Sequence, residues 1–282
     1  MNSTFLRAGL LFLIAFCFGR AVADESPVQS LLRNKNFSEL DAALTRVQIQ
    51  FESRTLSETE LRNAYRPFYT LDAETEANLA DWANLSPSSY VAHLALGINF
   101  KRKGTAARGN DYISNTPKQN IDEMVRYFAQ ARAELEKSLP LTKVPYLSVW
   151  HLLDMANIHG DKVESLRLLL VANKLLPDNR LARNRYMQSL KPRWGGSIPD
   201  MEQFIETSRR EGLDQDGIMQ LEAIMQEDLG LSTLETGDLP LSREHFIKAL
   251  ELAKKIGGTF LQDWLSAARY QCTRPEFSAY CD

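Results

Sequence analysis

Antiparallel helix hairpins, stacked side by side without a sheet, are the architecture to expect from this chain. Apolar residues recur three and four positions apart along most of its length, the spacing of one helical face. Two Gly-Asp corners are followed by side chains at identical offsets: Ser165, Leu169 and Ala172 after Gly160, and Ser242, Phe246 and Ala249 after Gly237. Sustained period-two alternation bounded by hairpin turn pairs is lacking, so no strand is expected.

In chain order, the first segment reads as a targeting signal. Arg7 precedes an apolar run from Ala8 to Phe18, and Ala21-Val22-Ala23 stands before Asp24-Glu25. Charge, apolar stretch and A-x-A make a secretory signal over residues 1–23, with cleavage expected after Ala23. The run is 11 residues long, short of the roughly 20 needed to cross a bilayer as a helix. Cleavage removes Arg7, Arg20 and no acid, taking the formal charge from −3 to −5. With 44% hydrophobic residues, the remainder suits a globular protein without stable membrane insertion, periplasmic or secreted. Nucleic acid would call for a basic stripe and is not an expected partner.

Helical faces follow. Phe37, Leu40, Leu44, Val47 and Phe51 share one; Ile121, Met124, Val125, Phe128 and Leu135 another; Phe246, Ala249, Leu250, Ala253 and Ile256 a third. Ser57-x-x-Glu60 is a capping box, Ser197-x-x-Asp200 a shorter relative, and Thr116-Pro117-Lys118-Gln119 offers a cap hydroxyl and a first-turn proline. Stops fall at Pro140, Pro177, Pro192 and Gly257-Gly258. About a dozen helices result. Two domains are expected, 24–210 and 211–282, the second a hairpin and tail continuous with the first. Without Cys17, Cys272 and Cys281 form the remaining cysteine pair. In an oxidising compartment they are most simply a disulfide that pins the tail, worth about 2–3 kcal/mol.

At the two corners the chain resembles the tetratricopeptide repeat, whose pattern is a large-Gly pair, a turn, a small residue, an aromatic, an alanine and a proline. The 149–177 unit has Ser165, Leu169, Ala172 and Pro177, but Leu153 where the family prefers glycine. The 226–254 unit has Leu229, Gly230, Ser242, Phe246 and Ala249, but ends in Lys254. A third unit pairs Leu96-Gly97 with Phe128 and Ala131 around an insertion. A second resemblance spans roughly residues 30–210. Trp82, Pro87-x-Ser89-Tyr90, Ala95-x-Gly97, Ala107-Arg108-Gly109 and Pro192-Arg193-Trp194-Gly195-Gly196-Ser197 together look like a bacterial family catalogued as domain of unknown function 4034. That resemblance implies a tetratricopeptide-like fold and no particular chemistry.

Binding candidates come from two segments. Lys101, Arg102, Lys103 and Arg108 lie in a stretch to Asp111 that reads either as a basic loop on a rigid scaffold or as a solvated helix end. Arg193 and Trp194 belong to the Pro192–Ser197 turn. It either offers backbone N–H groups to an anion with Arg193 assisting, or stops one helix, buries Trp194 and caps the next. His151 and Asp154 can meet on one helix, with His159 at its end. Too few ligands converge for zinc, and a paired surface histidine is the simpler reading. Glu244-His245 lacks the second histidine of HExxH, and no nucleophile elbow, Walker loop or Rossmann fingerprint occurs. No catalytic residue, metal or cofactor is therefore expected.

The functional expectation is a non-enzymatic scaffold of the cell envelope that holds a protein or peptide, since stacked hairpins build extended concave surfaces. Its rivals are a neutraliser of a secreted toxin and a hydrolase or lyase built on Arg108, His151 and Asp154.

Overall fold

The computed structural model describes residues 26–109 and 115–272, with side chains through residue 266. The signal segment 1–23 and the Cys272–Cys281 pairing lie outside that description. Thirteen α-helices and no strand occur among the described residues. They are α1 Pro27–Arg33, α2 Phe37–Glu52, α3 Glu58–Ala64, α4 Ala73–Leu85, α5 Tyr90–Arg108 and α6 Lys118–Ser138. There follow α7 Tyr146–His159, α8 Lys162–Leu175, α9 Leu181–Ser189, α10 Ile198–Arg210, α11 Gln215–Glu235, α12 Leu239–Ile256 and α13 Gly258–Cys272. The chain is all-α, built of packed helix pairs.

Local sequence accounts for most helix starts. Ser57 and Glu60 form the full capping box on α3, and Ser197 accepts from the Asp200 N–H at the head of α10. Asp72, Ser89, Asp161, Asp214 and Asp238 cap five more helices through side-chain oxygens. At α6 the expected hydroxyl cap gives way to Pro117, which occupies the cap position with no side-chain bond.

The two corners are built alike. Gly160 and Gly237 take φ of 73° and 84°, left-handed values that glycine adopts without a Cβ penalty. Each glycine N–H donates to the carbonyl three residues back, Asn157 or Leu234, at 3.1 and 3.0 Å. Each following aspartate N–H reaches five back, to Ala156 or Thr233, at 3.0 Å. This reverse-turn pairing satisfies carbonyls that a helix end leaves open. The aspartate side chain then caps the next helix.

Close approach of small residues sets the hairpins. A Cβ on Gly97 would stand 2.7 Å from Leu135 Cγ, and one on Gly104 would stand 2.5 Å from the Phe128 ring. Contacts that run forward on α5 and backward on α6 make that pair antiparallel. On α11, Gly230 receives the Phe246 ring, and Ser242 Oγ donates to the Gly230 carbonyl at 2.7 Å.

One apolar cluster runs through α1 to α9 around Trp82, Tyr65, Phe68 and Tyr146. Another joins Met187 of α9, Met201 and Ile205 of α10, and Leu213, Ile218, Leu221 and Ile224 around α11. Its packing crosses position 210. The helical faces read from periodicity point inward except at Val125, which is 47% exposed. Among the described residues no helix is long and apolar enough to cross a membrane.

Candidate functional site

The stretch from Lys101 is not a loop. Residues 101–108 form the last two turns of α5, which carries through to a Gly109 C-cap. Helical periodicity therefore sends its four cations in different directions. Lys101 turns into the protein and is buried. Lys103 pairs with Glu76 of α4 at 2.6 Å and lies 5.2 Å from the Tyr127 ring centre. Arg108 Nη1 donates to the neighbouring Gly109 carbonyl at 3.2 Å, while its Nε is buried without a partner. Arg102 is exposed, with its guanidinium 5.0 Å from the Tyr69 ring centre. Of the four, Arg102 alone is exposed.

Lys101 meets a polar cluster deep in the core. Its ammonium is bonded to the Asp154 carboxylate and donates to His151 Nδ1 at 3.2 Å. Arg185 of α9 pairs with the other oxygen of Asp154. Three helices thus deliver two cations to one carboxylate. Burial opposes ionisation of Asp154, yet Arg185 and Lys101 outweigh it and hold the carboxyl below its usual range. Burial lowers the Lys101 ammonium against the pull of Asp154. His151 is driven well below the ordinary imidazole range by burial and then by the Lys101 charge. With Nδ1 accepting from an ammonium, the neutral ring carries its proton on Nε2, which is buried without an acceptor.

His151, at 1% exposure, is consequently not the surface histidine the sequence suggested. An apolar helix face all around it draws it in. His159 ends α7, exposed, edge-on to Phe128 at 5.3 Å. Arg108 has no ion pair with this cluster among the described residues, so the Arg108–His151–Asp154 trio does not assemble. Lys101 and Arg185 take that place. Among the described residues no group of three or more His, Cys, Asp or Glu is placed to hold a metal ion.

Around the cluster stands a cationic rim. Arg62 of α3 lies 5.7 Å from the Trp150 ring centre, and the Lys101 ammonium lies 4.9 Å from the same centre. Arg66 opens the 3-10 turn Arg66–Tyr69. Burial raises the Tyr69 phenol, while Arg62, Arg102 and Arg66 all act on it in the opposite sense. No sequence signal marked Arg62, Arg66 or Arg185, because each belongs to a different element from Lys101.

The Pro192–Ser197 turn is tied to α11. Pro192–Trp194 form a 3-10 turn and Gly195 is left-handed. A Cβ on Gly196 would sit 2.0 Å from the Leu190 carbonyl oxygen, so the chain demands glycine there. Arg193 is engaged: its Nε and Nη2 donate to Asp228 Oδ1 at 3.0 and 2.6 Å. Lys191 joins from 3.3 Å at Glu227. Trp194 does not pack into the array as expected; it is 51% exposed, because the 3-10 turn directs it outward while Arg193 ties the turn to α11.

A groove of about 510 Å³ lies between α10 and the α11–α12 hairpin. Ile205, Met225 and Leu252 supply apolar ground, flanked by Glu202, Glu206, Glu251 and by Arg209, Lys248 and Lys255. Each helix contributes residues three and four apart, one whole face. Both α10 and α12 pack on α11, which makes α11 the floor. Arg209 is partly spent on Glu206 and on Glu222, the latter at 3.0 Å. No family model, no curated protein and no solved structure matches the chain.

Proposed function

We propose that the chain is an exported helical-repeat protein that serves as a protein- or peptide-binding scaffold in the cell envelope. The observation that carries this reading is the groove over α11. Three helices each offer one face, an apolar strip lies between rows of both charges, and those spacings suit an amphipathic helix laid along it. Stacked hairpins commonly present such surfaces. The export signal at 1–23, a Cys272–Cys281 disulfide and the resemblance to the unknown-function family belong to the same proposal. They add location and ancestry rather than chemistry.

An enzymatic reading has less support. Asp154, its natural acid–base group, is held by two cations, and the neutral His151 is enclosed beside it. A scaffold needs neither group to titrate.

The groove reading is tested by retention from an envelope extract on the intact protein and on a Glu202→Lys/Glu251→Lys variant. Both positions are exposed, so folding should be unaffected. A partner held by the parent and lost by the variant supports the groove. Equal retention by both, or none by either, removes it.

A further inference from the structure

We propose that the corner formed by α3, the Arg66–Tyr69 turn, α5 and α7 is a binding site for an oxyanion, a phosphate or carboxylate group on a small ligand, held by Arg62, Arg66 and Arg102. It lies apart from the α10–α12 groove and does not depend on it.

The first support is an imbalance of charge. Arg62, Arg66 and Arg102 have no carboxylate partner among the described residues. Many other arginines are tied to acids, as Arg33 is to Asp72, Arg54 to Asp178, Arg183 to Glu211 and Arg193 to Asp228. Arg46, Arg210 and Arg243 also lack one among the described residues, but each of those stands apart from other acid-free arginines in the chain. Local acids are already committed. Glu58 serves Tyr146 and the Arg180 and Leu181 N–H groups, Glu60 caps α3 and Glu76 takes Lys103. Asp154 is divided between Lys101 and Arg185. The elements that carry them pack on one another, and like charges on adjoining elements repel unless an anion joins them.

The second support is preparation. Arg102 lies over Tyr69, and Arg62 lies over Trp150. Stacked guanidinium groups lose less freedom when they bind, and their planar forks match phosphate and carboxylate oxygens. The third support is independent of the arginines. Trp150, 9% exposed, has its Nε1–H buried without an acceptor, and the adjoining His151 has Nε2 in the same state. Other buried donors lack acceptors too, at Trp82 and Arg183, so what distinguishes these two is their place beside acid-free arginines. Two of them beside a surplus of cations mark a place short of acceptors.

Calorimetric titration of the intact protein with inorganic phosphate, and separately with citrate, tests the site, with sodium chloride at matched ionic strength as blank. Saturable binding of at least one is expected. It should weaken at least about tenfold in an Arg66→Ala/Arg102→Ala variant and persist in Arg243→Ala, an exposed arginine on α12. Preference for phosphate assigns a phosphoryl ligand; preference for citrate assigns a carboxylate. Should the double variant melt early, Arg102→Gln alone gives the same reading. No binding of either anion up to about 10 mM, or equal binding by parent and variants, overturns the site. Glu202→Lys/Glu251→Lys should leave anion binding unchanged, which separates failure here from failure of the groove.

Discussion

At Gly160 the chain leaves α7, a helix covered along most of its length; at Gly237 it leaves α11 and enters α12, which stays largely in water. The turns themselves share φ, hydrogen-bond pattern and aspartate cap. Around α7 lie α3, α5, α6, α8 and α9, and almost every residue from Tyr146 to Ala156 is buried. Among the described residues α12 meets chiefly α11 and α13, and buries Ser242, Ala249 and Ala253. Identical corner chemistry therefore fixes a change of direction and nothing about depth. Depth comes from how many later or earlier helices return to cover the pair.

The difference extends to charge. Each first helix carries an aspartate that holds two cations, Asp154 nearly buried with Lys101 and Arg185, Asp228 buried with Arg193 and Lys191. Removing Asp154 strands Lys101 beside further cations, and Asp154→Ala should cost about 3–5 kcal/mol. Asp228→Ala should cost less, about 1–3 kcal/mol, because Lys191 keeps Glu227 at 3.3 Å. Urea unfolding of both variants checks the order, and equal losses would erase the distinction between the hairpins.

Acid should act on the first hairpin through His151. Its folded pKa is lowered, so its full contribution is present above the unfolded value of about 6.5. As pH falls below that, the unfolded imidazole binds a proton that the buried ring, facing Lys101 with Arg62 and Arg102 nearby, resists. Stability should then fall by up to about 1.4 kcal/mol per pH unit until the folded group titrates. His159, also lowered, adds in the same sense. Urea midpoints from pH 7 to 5 should show a shallower slope in His151→Gln; an unchanged slope would place the acid sensitivity elsewhere.

The smallest contrast lies at matched positions five residues past each glycine. Ser242 Oγ donates to Gly230, whereas Ser165 Oγ is buried without a partner. Ser242→Ala should cost about 1 kcal/mol. Ser165→Ala should be neutral or slightly stabilising, since it removes an unsatisfied hydroxyl. Thermal melts of the pair decide it, and a loss at Ser165 matching that at Ser242 would show a shared role for the small polar residue.

Much of the fold was legible in the chain because helices are specified locally. Spacing of apolar residues, the Ser57–Glu60 box, the Asp caps and the two Gly-Asp corners involve residues no more than a turn or two apart. The α5–α6 hairpin is legible from Gly97, Phe128 and Ala131 across their insertion, but in another register: Gly97 faces Leu135 and Ala131, and Phe128 packs on Gly104. The candidate site was less legible. Lys101, Arg102 and Lys103 are adjacent in sequence yet end in the core, over Tyr69 and against Glu76. Helical rotation of 100° per residue separates neighbours, so a run of like charge says little until the buried face is known.

By itself the sequence determined where helices begin, where they reverse, and that no sheet should form, since each depends on backbone preferences within a few residues. Only tertiary structure decided that Asp154 would be shared by Lys101 of α5 and Arg185 of α9, that His151 would be enclosed, that Trp194 would face outward, and that Arg62 and Arg102 would lie over aromatic rings with no acid partner among the described residues. Those outcomes depend on which helices come to lie beside α7 and at what rotation. Chain-distant packing fixes both, and no local spacing encodes it.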